Sequence, residues 1–296
     1  MLNKEKPVKI VINENCTKCG ICTEICSGEY LLLKNGEITS NPNSKFGCIQ
    51  CGYCMMKCPQ NAITIEGEGI SEDKLIKNFP SEPADYKSLY SLLLKRRSAR
   101  KFKDIPISKE VIEKIIAAAS TGAISIPPYE VKILVINGKD KVQELKNDLM
   151  TSFKIALKIF SPIGLWLQKP FMGKHDYKLA KEFIMPLLKT TLENHKKGKD
   201  SLFYDAPAVL IFYTSPLCDK EDAIISATLA CTAAESLGLG TCFIGSVPPS
   251  IDNNPKIKQK YGITKEDKTA TAIILGYPEE TFKKGIKRDF KEVRWF

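Results

Sequence analysis

The sequence predicts an α+β protein in two parts: a small cysteine-rich module, then a larger mixed β-sheet flanked by helices. Three observations predict it. Eight of the 11 cysteines fall between Cys16 and Cys58. Beyond Tyr86, four apolar, partly β-branched runs alternate with helical stretches. The 296 residues, 43% apolar and 26% charged, suffice for two domains with real cores and exclude a disordered chain.

The cysteine module comes first. Cys16, Cys19, Cys22 and Cys26 form one run, and Cys48, Cys51, Cys54 and Cys58, followed by Pro59, form another. Both read C-x2-C-x2-C-x3-C. The N-terminal MLNKEKPVKIVIN has no apolar run of the kind that directs export, so the expected location is the cytoplasm and the cysteines read as metal ligands, not disulfides. Soft thiolates suit iron clusters and zinc alike. The repeat of one tight spacing, and the apolar Ile21, Ile25, Ile49 and Met55 among the ligands, favour clusters over a pair of zinc sites. Gly20 and Gly52 sit in the turns, where backbone must pass close to a bulky inorganic core. Residues 8–12 and 63–65 are predicted strands closing this module, which spans 1–66, with a polar linker over 67–85 containing one helical turn.

The second part, 86–296, opens with a helix carrying Leu89, Leu92 and Leu93 that delivers Arg96, Arg97, Ser98 and Arg100 at its end. Ser108 is a predicted N-cap for a helix with the stripe Val111, Ile112, Ile115, Ile116 and Ala119. Strands are predicted at 131–136, 207–213, 241–245 and 269–275, and a helix from Ala223 to Leu237 ends at Gly238. Between them, 139–205 reads as a helical insertion broken by Pro162, Pro170 and Pro186. Its Phe153, Phe160, Leu165, Trp166, Phe171 and Met172 exceed what one helix face needs, so it is expected to add core, contact a second subunit or form a lid. The apolar stretch Ile155 to Leu167 is interrupted and too short to span a membrane.

Net charge is +10, yet residues 1–80 carry nine basic and nine acidic side chains, so the excess belongs to the second part. That surface suits anionic cofactors, substrates or an acidic redox partner. No nucleic-acid motif accompanies it. Gly238-Leu239-Gly240 follows a helix and lacks the third glycine of a dinucleotide fingerprint. The two histidines, His175 and His195, offer little for a triad or metal site. Cys218, Cys231 and Cys242 read as small core hydrophobes.

Two resemblances add to this reading. The paired cysteine runs resemble bacterial two-[4Fe-4S] ferredoxins, in which the fourth cysteine of each run crosses to the other cluster. That implies one cluster on Cys16, Cys19, Cys22 and Cys58 and another on Cys48, Cys51, Cys54 and Cys26. Ser27 departs from the family, which often has Pro there. The run Lys95 to Phe102, KRRSARKF, resembles the opening flavin motif of the nitroreductase family. The likeness continues through Ala118 to Thr121, Pro128, Tyr129, Val131 to Ile136, the segment Leu237 to Gly245 and the basic, aromatic-ended Gly285 to Phe296.

Together these cover most of 86–296 and imply a ferredoxin–nitroreductase fusion, a type found in anaerobes. The resemblance implies FMN contacts from Arg96, Arg97, Ser98, Arg100, Ser125, Pro128, Gly240, Ile244, Gly245, Lys287 and Arg288. Arginine forks and a serine hydroxyl suit the FMN phosphate. Ser125-Ile126-Pro127-Pro128-Tyr129 departs from the family's Asn before Gln-Pro-Trp. The resemblance further implies a symmetric homodimer with flavin at its interface, and a catalytic centre made of cofactor plus pocket with no named acid or base. Electrons are expected to run from a low-potential donor, such as a soluble ferredoxin, through the clusters to FMN and on to a nitroaromatic, quinone or activated alkene. The alternatives are an NAD(P)H-dependent flavin oxidoreductase delivering electrons outward to a protein acceptor, and a non-catalytic electron carrier or redox sensor.

Overall fold

The computed structural model describes residues 8–44, 47–67, 69–76, 82, 84–123, 130–286 and 288–296. The chain divides into two compact units, the second beginning at Ala84.

The first unit runs β1 (Lys9–Ile12), α1 (Ile21–Glu24), β2 (Leu31–Lys34), β3 (Glu37–Ser40), α2 (Tyr53–Lys57) and β4 (Ile63–Glu66). β1 and β4 pair antiparallel, Ile12 opposite Ile63, as the two apolar runs suggest. Leu31, Met55, Ala62, Ile63 and Ile65 form its small buried core. The β2–β3 hairpin adds to what the sequence pattern predicts. Its turn places Asn35 at φ 54° and Gly36 at φ 76°, a pair of left-handed residues whose twist matches that of the strands they join. A single 3₁₀ turn, Glu72–Lys74, lies in the expected linker.

The second unit opens with α3 (Tyr86–Lys95), whose first turn is capped by the Asp85 carboxylate accepting from the Ser88 N–H at 2.9 Å. In α4 (Lys109–Ala119) the predicted cap holds, with the Ser108 hydroxyl accepting from the Val111 N–H at 3.4 Å. Then come β5 (Val131–Asn137), α5 (Lys139–Ile159), α6 (Pro162–Gln168), α7 (Lys174–Leu179), α8 (Met185–Lys196), β6 (Ala208–Thr214), α9 (Lys220–Ser236), β7 (Gly240–Phe243), α10 (Val247–Asp252), α11 (Pro255–Lys260) and β8 (Lys268–Gly276).

The sheet order is β5-β6-β8-β7, and all three pairings are antiparallel. Among the described residues, the expected mixed character enters through a parallel bridge between Ser98 and Thr241 at the β7 edge. Strand alternation explains why the central strands are apolar throughout. Val209, Ile211, Ala272 and Ile274 face one core, against Leu145, Leu149, Phe153 and Val247. Leu210, Phe212, Ile273 and Leu275 face the other, against Ile112, Ile115, Ala223 and Ala227. A sheet covered on both sides needs no polar face.

The insertion splits into two kinds of helix. α5 commits Leu145, Leu149 and Phe153 to the core, and α8 adds Leu188 and Leu192. Between them Trp166 is 69% exposed and Phe171 91% exposed, so that stretch contributes little to the core of this chain. Pro162 begins α6 and Pro170 sits in a 3₁₀ turn, as predicted, whereas Pro186 does not break its helix: Lys174–Lys196 stays helical throughout, with a π-helical turn, Ala180–Ile184, just before the proline.

Candidate functional site

In the first unit the eight predicted ligands separate into two cavities. One is walled by Cys16, Cys19, Cys22 and Cys58. The other is walled by Cys26, Cys48, Cys51 and Cys54. Each run therefore contributes three thiols to its own cavity and its fourth to the other.

The backbone repeats with the ligands. Left-handed residues occur in pairs 32 positions apart: Lys18 and Gln50 at φ 59° and 58°, Gly20 and Gly52 at 81° and 73°, Glu29 and Asn61 at 49° and 48°. The glycines immediately precede α1 and α2, so both runs turn by the same device. Sulfur hydrogen bonds repeat too, the Tyr30 N–H donating to Cys26 Sγ at 3.3 Å and the Ala62 N–H to Cys58 Sγ at 3.2 Å. Amides aimed at sulfur stabilise the thiolate once it is bound and tune the metal it holds.

The thiols ring each cavity without meeting. Among the described residues no three His, Cys, Asp or Glu side chains converge closely enough to hold one metal ion. A [4Fe-4S] cluster takes one sulfur at each iron around a core wider than a single metal ion. Burial pushes the Cys22 and Cys48 thiols up and the Cys54 thiol up to about 12, with neighbouring thiols adding to it. These cysteines are thus poor free thiolates, and a bound cation must supply the charge that ionises them.

In the second unit the Lys95 to Phe102 run leaves α3 and lies along the sheet. The Ala99 N–H donates to Thr241 O at 2.9 Å, the Lys103 N–H to Tyr277 O at 2.8 Å and the Glu279 N–H to Lys101 O at 3.1 Å. Two glycines make room for it. A Cβ on Gly240 would lie 2.6 Å from Ala99 Cβ, and one on Gly276 would lie 2.7 Å from both Phe102 Cδ1 and Pro207 Cδ. Gly240 and Gly276 oppose each other in the β7–β8 register. Gly240 therefore serves this close packing, and it also lines the larger cavity beside the run. Gly276, which sequence reasoning did not single out, shares the task; its only signal was its place at the end of a strand.

The run's polar side chains are distributed between two neighbouring cavities. Arg97 enters the larger one with Lys95, Glu235, Lys283 and Lys284. Ser98 and Arg100 enter the smaller with Tyr204, the two cavities sharing Ala99, Pro278, Glu280 and Phe282. Among the described residues the Arg100 guanidinium has no hydrogen bond or ion pair, and its carbon stands 5.9 Å from the centre of the Tyr204 ring. Arg96 lies toward α9, where burial raises the Glu235 carboxyl and Arg96, Lys95 and Arg97 partly oppose that rise.

The other predicted contacts divide. Gly245 is exposed, with nothing within 4 Å of where a Cβ would be, so a ligand could approach its backbone. Ile244 is packed into the core, and its N–H donates to Ala272 O at 2.8 Å. Arg288 is exposed and lines neither cavity; Lys283 and Lys284 are the C-terminal basic groups brought to the arginine run. Ser125, Pro128 and Lys287, with Tyr129, lie outside the described residues. Cys231 and Cys242 are buried, as expected of core cysteines, while Cys218 is partly exposed and its Sγ lies 2.9 Å from Asp222 Oδ2.

Comparison with known proteins follows the same division. Residues 15–63 match the profile of a 4Fe-4S dicluster domain, and residues 93–277 match that of the nitroreductase family. No curated protein matches the chain. Among solved structures, a nitroreductase with bound FMN from Bacteroides fragilis is similar at 18% identity and a TM-score of 0.53, covering 70% of this chain and 98% of that one. A nitroreductase with bound FMN from Desulfitobacterium hafniense is similar at 17% identity and a TM-score of 0.50, covering 70% and 97%. At that identity the likeness is one of fold. With the family profile spanning more than half its length, the chain belongs to the nitroreductase family and carries a 4Fe-4S dicluster domain ahead of the nitroreductase domain.

Proposed function

We propose that the protein is an oxidoreductase in which two [4Fe-4S] clusters take electrons from a low-potential donor such as a soluble ferredoxin and pass them to FMN. A small organic acceptor, such as a nitroaromatic, a quinone or an activated alkene, is then reduced. The observation that carries this reading is the crossing of Cys58 and Cys26 into each other's cavities, which gives two complete four-thiol sites in a chain of the nitroreductase family.

Cys16, Cys19, Cys22 and Cys58 hold one cluster and Cys48, Cys51, Cys54 and Cys26 the other, with the Tyr30 and Ala62 amides bonded to the crossing sulfurs. The basic groups of the two neighbouring cavities fit a phosphate-bearing cofactor, because Arg97, Arg100 and the Ser98 hydroxyl supply charge and hydrogen bonds on one extended run. Bound FMN supplies interchange between one-electron and hydride chemistry. Lys95, Lys283 and Lys284 add positive potential around it, and open space at Gly245 leaves backbone amides within a ligand's reach. Exposed apolar residues on α3 (Leu89, Leu93, Leu94) and α9 (Ile224, Ile225) support a homodimer that covers them.

The test is anaerobic purification with iron, sulfide and flavin quantitation, then titration with reduced ferredoxin and, separately, NADPH. About eight iron per chain and one FMN, with the flavin reduced by ferredoxin alone, is the expected result. Flavin reduction by NADPH alone would reverse the direction of flow, and a flavin-free protein that cannot be reconstituted would overturn the reading.

A further inference from the structure

We propose that Tyr204 is a positioning residue for the phosphate of the bound cofactor, acting by holding the Arg100 guanidinium against its ring. This inference rests on the flavin reading above and adds to it a residue from a different part of the fold. Tyr204 and Asp205 are consecutive left-handed residues, at φ 55° and 53°, and neither is glycine. Such a conformation persists only where the surroundings impose it.

Here the surroundings are explicit. Asp200 accepts from the Leu202 N–H at 3.0 Å, from the Phe203 N–H at 2.9 Å and, through its other oxygen, from the Asp205 N–H at 3.4 Å. That second oxygen lies 3.3 Å from Lys146 Nζ on α5, in an ion pair whose side chains are 6% and 3% exposed. Leu202 and Phe203 are sunk in the core on either side of the hydrogen bonds. The loop is therefore pinned at three amides and two side chains, and it holds Tyr204 half-buried, packed against the core on one side and lining the smaller cavity on the other.

The arginine run is fixed to the same loop from the other side. Phe102, two residues after Arg100, and Pro207, three after Tyr204, both pack into the space Gly276 leaves by having no side chain. Arg100 and Tyr204 thus meet because two rigid segments are clamped at a common point. The guanidinium otherwise has no protein partner among the described residues, and in water a free arginine samples many rotamers. An aromatic face beside it narrows that range, and Arg100 lines the same cavity as Ser98. An anionic oxygen is the ligand chemistry this arrangement suits, and a planar ring is all it asks of residue 204.

The experiment uses the full chain, stripped of flavin and titrated with FMN and with riboflavin, which lacks the phosphate. Tyr204→Leu keeps the bulk without the π face and should weaken FMN binding roughly three- to tenfold while leaving riboflavin affinity unchanged. Tyr204→Phe should restore the FMN affinity of the parent. In an Arg100→Ala background, Tyr204→Leu should have no additional effect. Equal losses for FMN and riboflavin would make Tyr204 a structural residue only, and an unchanged FMN affinity in Tyr204→Leu would also overturn the proposal. Failure of the parent chain to bind either flavin would instead overturn the flavin reading, and the inference with it.

Discussion

In the first unit all eight candidate ligands lie between Cys16 and Cys58, and one local device, a left-handed glycine before a short helix, serves both runs. In the second, the larger cavity draws walls from Tyr90 to Ile286, and what brings them together is a pair of missing side chains at Gly240 and Gly276. A site written into local spacing can be read directly, because the distance between ligands along the chain limits where they can be in space. A site assembled by packing depends on contacts between residues far apart in sequence.

The sharpest break in this comparison is a cysteine exchanged across the crossing. Cys58→Ser should remove the cluster associated with Cys16, Cys19 and Cys22 and spare the one of its own run, so iron analysis should fall from about eight to about four per chain. Loss of both clusters would mean that the two cavities are not independent. Next in size, Gly276→Ala forces a Cβ against the Phe102 ring and Pro207, and should destabilise the nitroreductase domain by about 1–3 kcal/mol in urea unfolding while leaving the iron content unchanged.

Gly36→Ala, at a φ of 76° where an L side chain is strained, should cost the first unit about 1 kcal/mol, read as faster loss of cluster absorbance on heating, with no effect on flavin. The smallest effect concerns Glu235. Burial raises its carboxyl in the folded chain, so the folded state holds the proton more tightly than the unfolded one. Stability is then greatest below the usual carboxylate range and falls as pH rises through the folded value. Glu235→Gln should flatten that part of the profile, measured as melting temperature between pH 4 and 7.

Legibility followed the same line. The strands β5, β6 and β8, the caps at Ser108 and the helix α9 were all readable, because periodicity and capping are local. The β2–β3 hairpin has its signal in Asn35-Gly36, but the strand after the turn, Glu37–Ser40, carries a single apolar residue, Ile38, and so shows no strand pattern by itself. Ile244 was counted with the glycine-rich segment as a contact, yet strand alternation turns its side chain into the core. Tyr204 carried no sequence signal, since its position depends on an ion pair between Lys146 and Asp200, 54 residues apart.

The crossing of Cys26 and Cys58 has a consequence for biosynthesis. When the ribosome has released the first run and its helix, three thiols stand ready around a cavity whose fourth wall has not been made. The other cavity has all four of its thiols once Cys54 emerges, whereas this one waits for Cys58, and β4, which pairs with the very first strand, follows it at once. The set of thiols begun first is therefore the one completed last. A ribosome stalled before residue 54 leaves a peptide with neither set of four thiols complete, and one stalled between 54 and 58 leaves only the set that was begun second.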